Sequence, residues 1–176
     1  KKLFSILFAL IFISSLVYAQ DTAELKKKIQ EINDKAAEMM VANDEAGMWA
    51  NYTEDVISMP SYEPMLRGIE ACKQSYKKMT EAGMKMTAFK SIVTDVIDAG
   101  NYVIDIGSYN ISMSMPGMDI PWDDYGKYIT IWEKQDDGSL KIKVETWNTD
   151  VNPWEEMQKM QPPPPPAPEG HEGHQH

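Results

Sequence analysis

The hydrophobic period of this chain changes once, at Met84, and that change limits the fold more than any other feature. Before it, apolar residues recur at steps of three and four. Leu25, Ile29, Ile32, Ala36, Met39 and Met40 form one helical stripe, with Lys26, Lys27, Lys28, Glu31, Asp34 and Lys35 off it. Asp21 or Thr22 is the expected cap, and Glu24 suits a capping box. After a break at Asn43-Asp44, a short helix is expected from Glu45 to Tyr52, then a strand at Val56–Met59 ended by Pro60. Arg67-Gly68 leads into a helix that aligns Ile69, Cys72, Tyr76 and Met79. From Met84 onward the period is two: Met84, Met86, Ala88, Ile92 and Val96 alternate with polar neighbours. Asp98–Asn101 is a turn, Tyr102–Met115 a strand, Gly126–Gln135 another, Asp136–Gly138 a hairpin turn and Leu140–Asp150 the last strand. Helices first and a meander afterwards predict an α+β fold. The expected architecture is a curved antiparallel sheet of four to six strands on N-terminal helices, cone-shaped around a central cavity.

Both ends read differently. Lys1 and Lys2 precede an apolar run closed by Val17-Tyr18-Ala19, the pattern of a secretory signal peptide over residues 1–19. The expectations are a secreted or periplasmic protein, with no membrane attachment after cleavage. Losing two lysines and no acid takes the net charge from −10 to −12. Three of the four Phe also leave, so Met, Ile, Val, Tyr and Trp must build the core. The folded domain is expected over residues 20–158. Residues 159–176 are a proline-rich tail, including five consecutive prolines and ending in His171, His174 and His176. Those histidines are weak candidate ligands for a transition metal.

Composition removes several functions. With 27 acids against 17 bases, the chain is a poor partner for nucleic acid. One cysteine excludes an intrachain disulfide and a cysteine-based zinc cluster. All three histidines lie in the last six residues, so the folded part can hold neither a Ser-His-Asp site nor a histidine-ligated metal. Cys72, on the buried stripe of its helix, reads as a small hydrophobe.

Several segments together carry a resemblance: Trp49-Ala-Asn-Tyr52-Thr-Glu-Asp55, Leu66-Arg-Gly68, Asp98-Ala-Gly-Asn-Tyr102, Gly107-Ser-Tyr109, Gly126-Lys-Tyr128, Trp132–Gly138 and Glu145-Thr-Trp147-Asn148-Thr-Asp150. They resemble the SnoaL-like group of the nuclear transport factor 2-like (cystatin-like) superfamily, over roughly Thr22 to Pro153. The resemblance implies a cone-shaped pocket and a homodimer formed through the outer sheet face. It carries no mechanism residue by residue. Ketosteroid isomerase relatives place a carboxylate just after the first strand, where this chain has Ser58-Met59-Pro60. Scytalone dehydratase relatives use a histidine that this fold lacks.

The expected pocket residues are Trp49, Tyr52, Met59, Tyr62, Tyr109, Trp122, Tyr128, Trp147 and Asn148, which suit a small, largely apolar ligand. Asp150 or Glu145 is the candidate general base of an isomerase- or dehydratase-type reaction. Strict alternation from Ile142 and Val144 puts Thr146, Asn148 and Asp150 on the apolar side and Glu145 and Trp147 on the other, unless a bulge switches the register. The rival reading is copper. Thirteen methionines include the close pairs Met84/Met86 and Met113/Met115, with Met118 beyond, and thioethers are soft ligands for Cu(I).

Overall fold

The computed structural model describes the backbone of residues 2–152 and 154–155, with side chains from residue 22 onward. The side chains of residues 1–21 and the tail of 159–176, with its three histidines, lie outside the described residues. The elements follow the period change. Helix α1 (Lys2–Ala42), α2 (Glu45–Ala50), β1 (Tyr52–Met59), β2 (Leu66–Arg67) and α3 (Ile69–Glu81) come first. Then β3 (Lys85–Ala99), β4 (Tyr102–Ser114), β5 (Trp122–Lys134) and β6 (Leu140–Thr149) form the meander. The α+β expectation holds: an N-terminal helix packs on one six-stranded curved sheet of order β2-β1-β6-β5-β4-β3. Among the described residues no helix is long and apolar enough to cross a membrane.

Three local expectations are corrected. First, α1 runs unbroken through Asp21 and Thr22, so no helix starts there and the capping box has no end to cap. Second, α2 stops at Ala50. Tyr52 opens β1 instead of closing a helix, and Ile142 N–H donates to Asn51 O (2.7 Å), which fixes that entry. Third, the sheet is not wholly antiparallel. β1 enters beside the last strand and runs parallel to β6, while every other neighbouring pair is antiparallel.

Two helices cover one face of the sheet: α1 packs on β3, and α3 on β1. Ile29, the deepest residue of the α1 stripe, is fully buried, and Leu25 and Ile32 flank the core. Gly68, at φ +81°, turns the chain into α3, a left-handed conformation a side chain would strain. Trp132, Val56 and Val103 are likewise enclosed in this core. The opposite face is left open. There Ile97, Ile104, Ile131 and Val144 stand in one cross-strand row, Ile106 and Ile129 in the next.

Irregularities in two strands decide which residues face the helices. In β3, breaks at Met86/Ala88 and Val93/Asp95 interrupt the alternation. Val93 and Val96 are both buried, while Ala88 and Ile92, expected alongside them, are exposed. In β6, Trp132 pairs with Ile142 and Ile131 with Val144, leaving Lys143 as the extra residue. This bulge reverses the parity downstream. Glu145 and Trp147 turn toward the helices, and Thr146 and Asn148 turn away.

Candidate functional site

The covered face is built in transverse layers, because residues directly opposite in a sheet share a face. Val103, Trp132, Ile142 and Tyr52 form a layer at one end of the covered face. The next layer is polar: Asp105, Thr130, Glu145 and Ser58 lie in register across four strands. Beyond it stand Gly107, Tyr128 and Trp147, and then Tyr109, Gly126 and Thr149.

The two aromatic layers depend on the glycines. Gly107 faces Tyr128, and Gly126 faces Tyr109. A Cβ at Gly107 would stand 2.5 Å from the Tyr128 hydroxyl, and one at Gly126 would stand 2.9 Å from the Tyr109 ring. Each ring therefore lies over the opposite glycine, and the Gly-x-Tyr repeated in β4 and β5 becomes two reciprocal pairs.

Three interior carboxyls are each held by a phenol or hydroxyl. Asp105 is fully buried. It accepts from Asn33 Nδ2 (3.2 Å), the Tyr128 hydroxyl (3.2 Å) and Trp132 Nε1 (3.4 Å). Burial pushes its carboxyl above the ordinary aspartate value, against those three bonds. Tyr128 is raised in turn, first by burial and then by the Asp105 charge. Glu145 accepts from Ser58 Oγ (2.8 Å) and the Tyr52 hydroxyl (3.2 Å). Burial raises it too, and burial, followed by the Glu145 charge, raises Tyr52. Asp124 accepts from the Tyr109 hydroxyl (2.9 Å) and from Thr149 Oγ1.

The remaining expected residues divide. Trp49 packs on Tyr52 (centroids 5.3 Å apart) and edge-on to Tyr76 (5.8 Å), and its buried Nε1–H has no hydrogen-bond partner. Trp122 starts β5 opposite Met113, on the same face as Tyr109. Met59, opposite Thr146, belongs to the open face, and Tyr62 is 78% exposed in the loop before β2. Asn148 is exposed opposite Lys127. Asp150 lies beyond the end of β6, exposed and ion-paired to Lys127. The parity expectation for Thr146, Asn148 and Asp150 is thus reversed by the Lys143 bulge. Cys72 is buried, as expected, and burial raises its thiol.

Sequence reasoning missed Asp105, Asn33, Thr130, Ser58 and Asp124. A signal existed only for Asp105, an acid between Ile104 and Ile106 in a strand with apolar residues on both faces. A shallow groove of about 500 Å³ also opens elsewhere, lined by Glu24, Leu25, Lys28 and Asp98. Its lysine already donates to Gly138 O, and no aromatic wall adjoins it. Among the described residues, no three His, Cys, Asp or Glu are placed to hold a metal ion.

No protein-family model matches the sequence, and no curated protein matches it. Solved structures do. A protein from Catenulispora acidiphila in complex with S-DNPA superposes with a TM-score of 0.63 at 11% identity, over 73% of this chain and 95% of that one. A ketosteroid isomerase-like protein from Erwinia carotovora atroseptica gives 0.60 at 12%, over 70% and 97%. An NTF2-like protein from Cytophaga hutchinsonii gives 0.58 at 14%, over 70% and 96%. The fold is nuclear transport factor 2-like. At these identities the likeness is one of fold, and the chemistry must be argued from the site itself.

Proposed function

We propose that this chain binds a small, largely apolar molecule on the covered face, with its polar end reaching the Asp105–Thr130–Glu145–Ser58 layer. The observation that carries this reading is the order of the layers. Tyr109, Tyr128 and Trp147 stand in the layers before Asp105 and Glu145, and Asp124 and Thr149 beside them are already bonded to each other, Asp124 also to Tyr109, so apolar contact supplies affinity and a few hydrogen bonds supply orientation. That a fold neighbour is held in complex with a small molecule fits the same reading. The leader of residues 1–19 makes the protein a secreted or periplasmic one in this proposal. The open-face isoleucines make it a homodimer.

A second reading is favoured by one observation: of the two candidate bases, Glu145 is the one turned inward. A carboxyl raised by burial and held by two hydroxyl donors suits proton transfer of the isomerase or dehydratase type.

Native mass spectrometry of the chain isolated without denaturation tests binding, with Nile red titration in parallel. One organic mass per chain, or saturable Nile red binding weakened by Trp147→Ala, is expected. A bare chain that also fails to take up Nile red overturns the proposal. Turnover of the identified molecule that is lost in Glu145→Gln while binding persists would establish the enzyme reading.

A further inference from the structure

The meander gathers methionine in one place. Met86 and Met113 are direct cross-strand partners of β3 and β4, and the next pair in the ladder is Lys85 with Ser114. Continuing that register by one residue sets Met84 opposite Met115, both on the face of Met86 and Met113. The chain segments do meet there: a Cβ at Gly83 would lie 2.7 Å from Pro116 Cγ. Met86 and Met113 thus form one rung, and Met84 and Met115 stand one residue beyond the last rung, at the entry to β3 and the exit of β4. Directly opposed Cβ atoms in such a ladder lie about 4.5–5.5 Å apart and diagonal ones about 7–8 Å. Trp122 extends the Met86–Met113 row onto β5. Met113 is buried, the other three methionines are half-buried, and Trp122 is 42% exposed, so the array is reachable from solvent.

We propose that Met84, Met86, Met113 and Met115 form a binding site for copper(I). The ligand class follows from the donors. Thioether sulfur is soft, neutral and never protonated, so it selects a soft monovalent cation and leaves hard divalent ions in water. Three rotatable bonds let each side chain turn its sulfur toward a shared ion across these spacings. The Trp122 ring stands next in the row, where an aromatic face favours a cation. This site is separate from the polar layer proposed for the small molecule, and the two succeed or fail independently.

The experiment must separate this array from the terminal histidines. The full chain is titrated with Cu(I), kept reduced by ascorbate without oxygen, against bathocuproine disulfonate. It is done at neutral pH and at about pH 4.5, roughly two units below the ordinary imidazole value. One tightly held equivalent is expected at both, since thioethers do not titrate. Met86→Leu/Met113→Leu, nearly volume-conserving, should weaken it by about ten-fold or more at both pH values, since loss of an outer-shell partner alone costs that much at a metal site. His171→Ala/His174→Ala/His176→Ala should leave the acid-pH binding unchanged. If the Met86/Met113 variant fails to fold, Met84→Leu/Met115→Leu makes the same test. Methyl NMR of ¹³C-methionine protein should then show these four methyls shifting on addition of silver(I). Binding that vanishes at acid pH, that survives both Leu pairs, or that is lost only with the histidines overturns the proposal.

Discussion

The two faces of one sheet treat the same residue type in opposite ways. On the covered face, Asp105 and Glu145 are held by phenol, hydroxyl, indole and amide donors, and burial raises both. On the exposed side, Asp55 meets Lys143 Nζ at 2.6 Å, and that bond lowers its carboxyl. Asp150 pairs with Lys127. The difference lies in what solvent permits. A lysine ammonium at the surface keeps most of its hydration while it pairs, whereas under α1 and α3 a full ion pair would lose hydration on both sides. Neutral donors satisfy an interior carboxyl without a second buried charge. Burial thus raises the carboxyls of Asp105 and Glu145, while the Lys143 bond lowers that of Asp55.

The comparison breaks first in packing. Trp132 is 1% exposed, and its indole both fills the core and donates to Asp105. Trp132→Ala should cost about 3–5 kcal/mol, as for other large aromatic truncations in a core. Ile129→Ala, on the open face at 43% exposure, should stay within about 1 kcal/mol at dilutions where the chain is monomeric and cost more where the proposed dimer forms. Chemical denaturation measures both. Equal losses would mean that the open face is as buried in solution as the covered one, which is the signature expected of a stable dimer.

Next come the glycines. A methyl at Gly107 meets Ile92 O at 2.4 Å as well as the Tyr128 ring, and neither backbone nor ring can retreat far. Gly107→Ala should cost about 1–3 kcal/mol by overpacking. Gly100→Ala is a useful contrast. Nothing lies within 4 Å of its added Cβ, so only its left-handed φ of +72° opposes the change. A larger thermal shift at Gly100 than at Gly107 would contradict the reciprocal tyrosine-over-glycine packing.

These particulars show how far the sequence could be read. Element types were legible because the period changes at Met84, and the order of helices and strands follows from it. Gly-x-Tyr in β4 and again in β5 was legible as a pattern, but its meaning needed the register that puts each tyrosine over the other strand's glycine. The face assignments in β6 were not legible, because Lys143 is a bulge and nothing in Ile142-Lys143-Val144 distinguishes it from an ordinary outward lysine. One extra residue reversed Glu145 and Asp150. Tyr109, Tyr128 and Trp147 were found from aromatic content alone. Asp105 left a faint signal, an acid between Ile104 and Ile106, but those isoleucines share the open face and say nothing of what Asp105 itself meets. Asn33 was hidden because it sits among the polar residues of α1, and only the packing of α1 on the sheet gives it a partner.

The faces also differ in the sign of their pH dependence. A carboxyl raised in the folded state binds its proton more tightly there than in the unfolded chain. Asp105 and Glu145 therefore contribute stability that is greatest in acid and is lost as pH rises from the ordinary carboxyl value through the raised one. Asp55 works the other way: its contribution is present above the ordinary value and is lost as pH falls through its lowered one. Glu145→Gln should flatten the decline on the alkaline side of the ordinary glutamate value, measured as unfolding midpoint against pH. An unchanged slope would mean that Glu145 stays ionised throughout and is no candidate for proton transfer.

The smallest effect expected is the most informative about the site. Asp150→Asn removes one half of an ion pair whose side chains are 62% and 45% exposed, and such pairs are worth about 0.2–1 kcal/mol at most. Its stability should shift by no more than that, and its affinity for Nile red should not change, because the Lys143 bulge has turned this end of the chain away from the aromatic layers. Glu145→Gln, five residues earlier, should alter ligand binding or its pH dependence. The pair of substitutions asks one question of two acids on either side of the end of β6. If Asp150→Asn proved the more damaging to binding, the bulge would have to be absent in solution. The whole layered order of the covered face, from Glu145 to Thr149, would then shift by one residue.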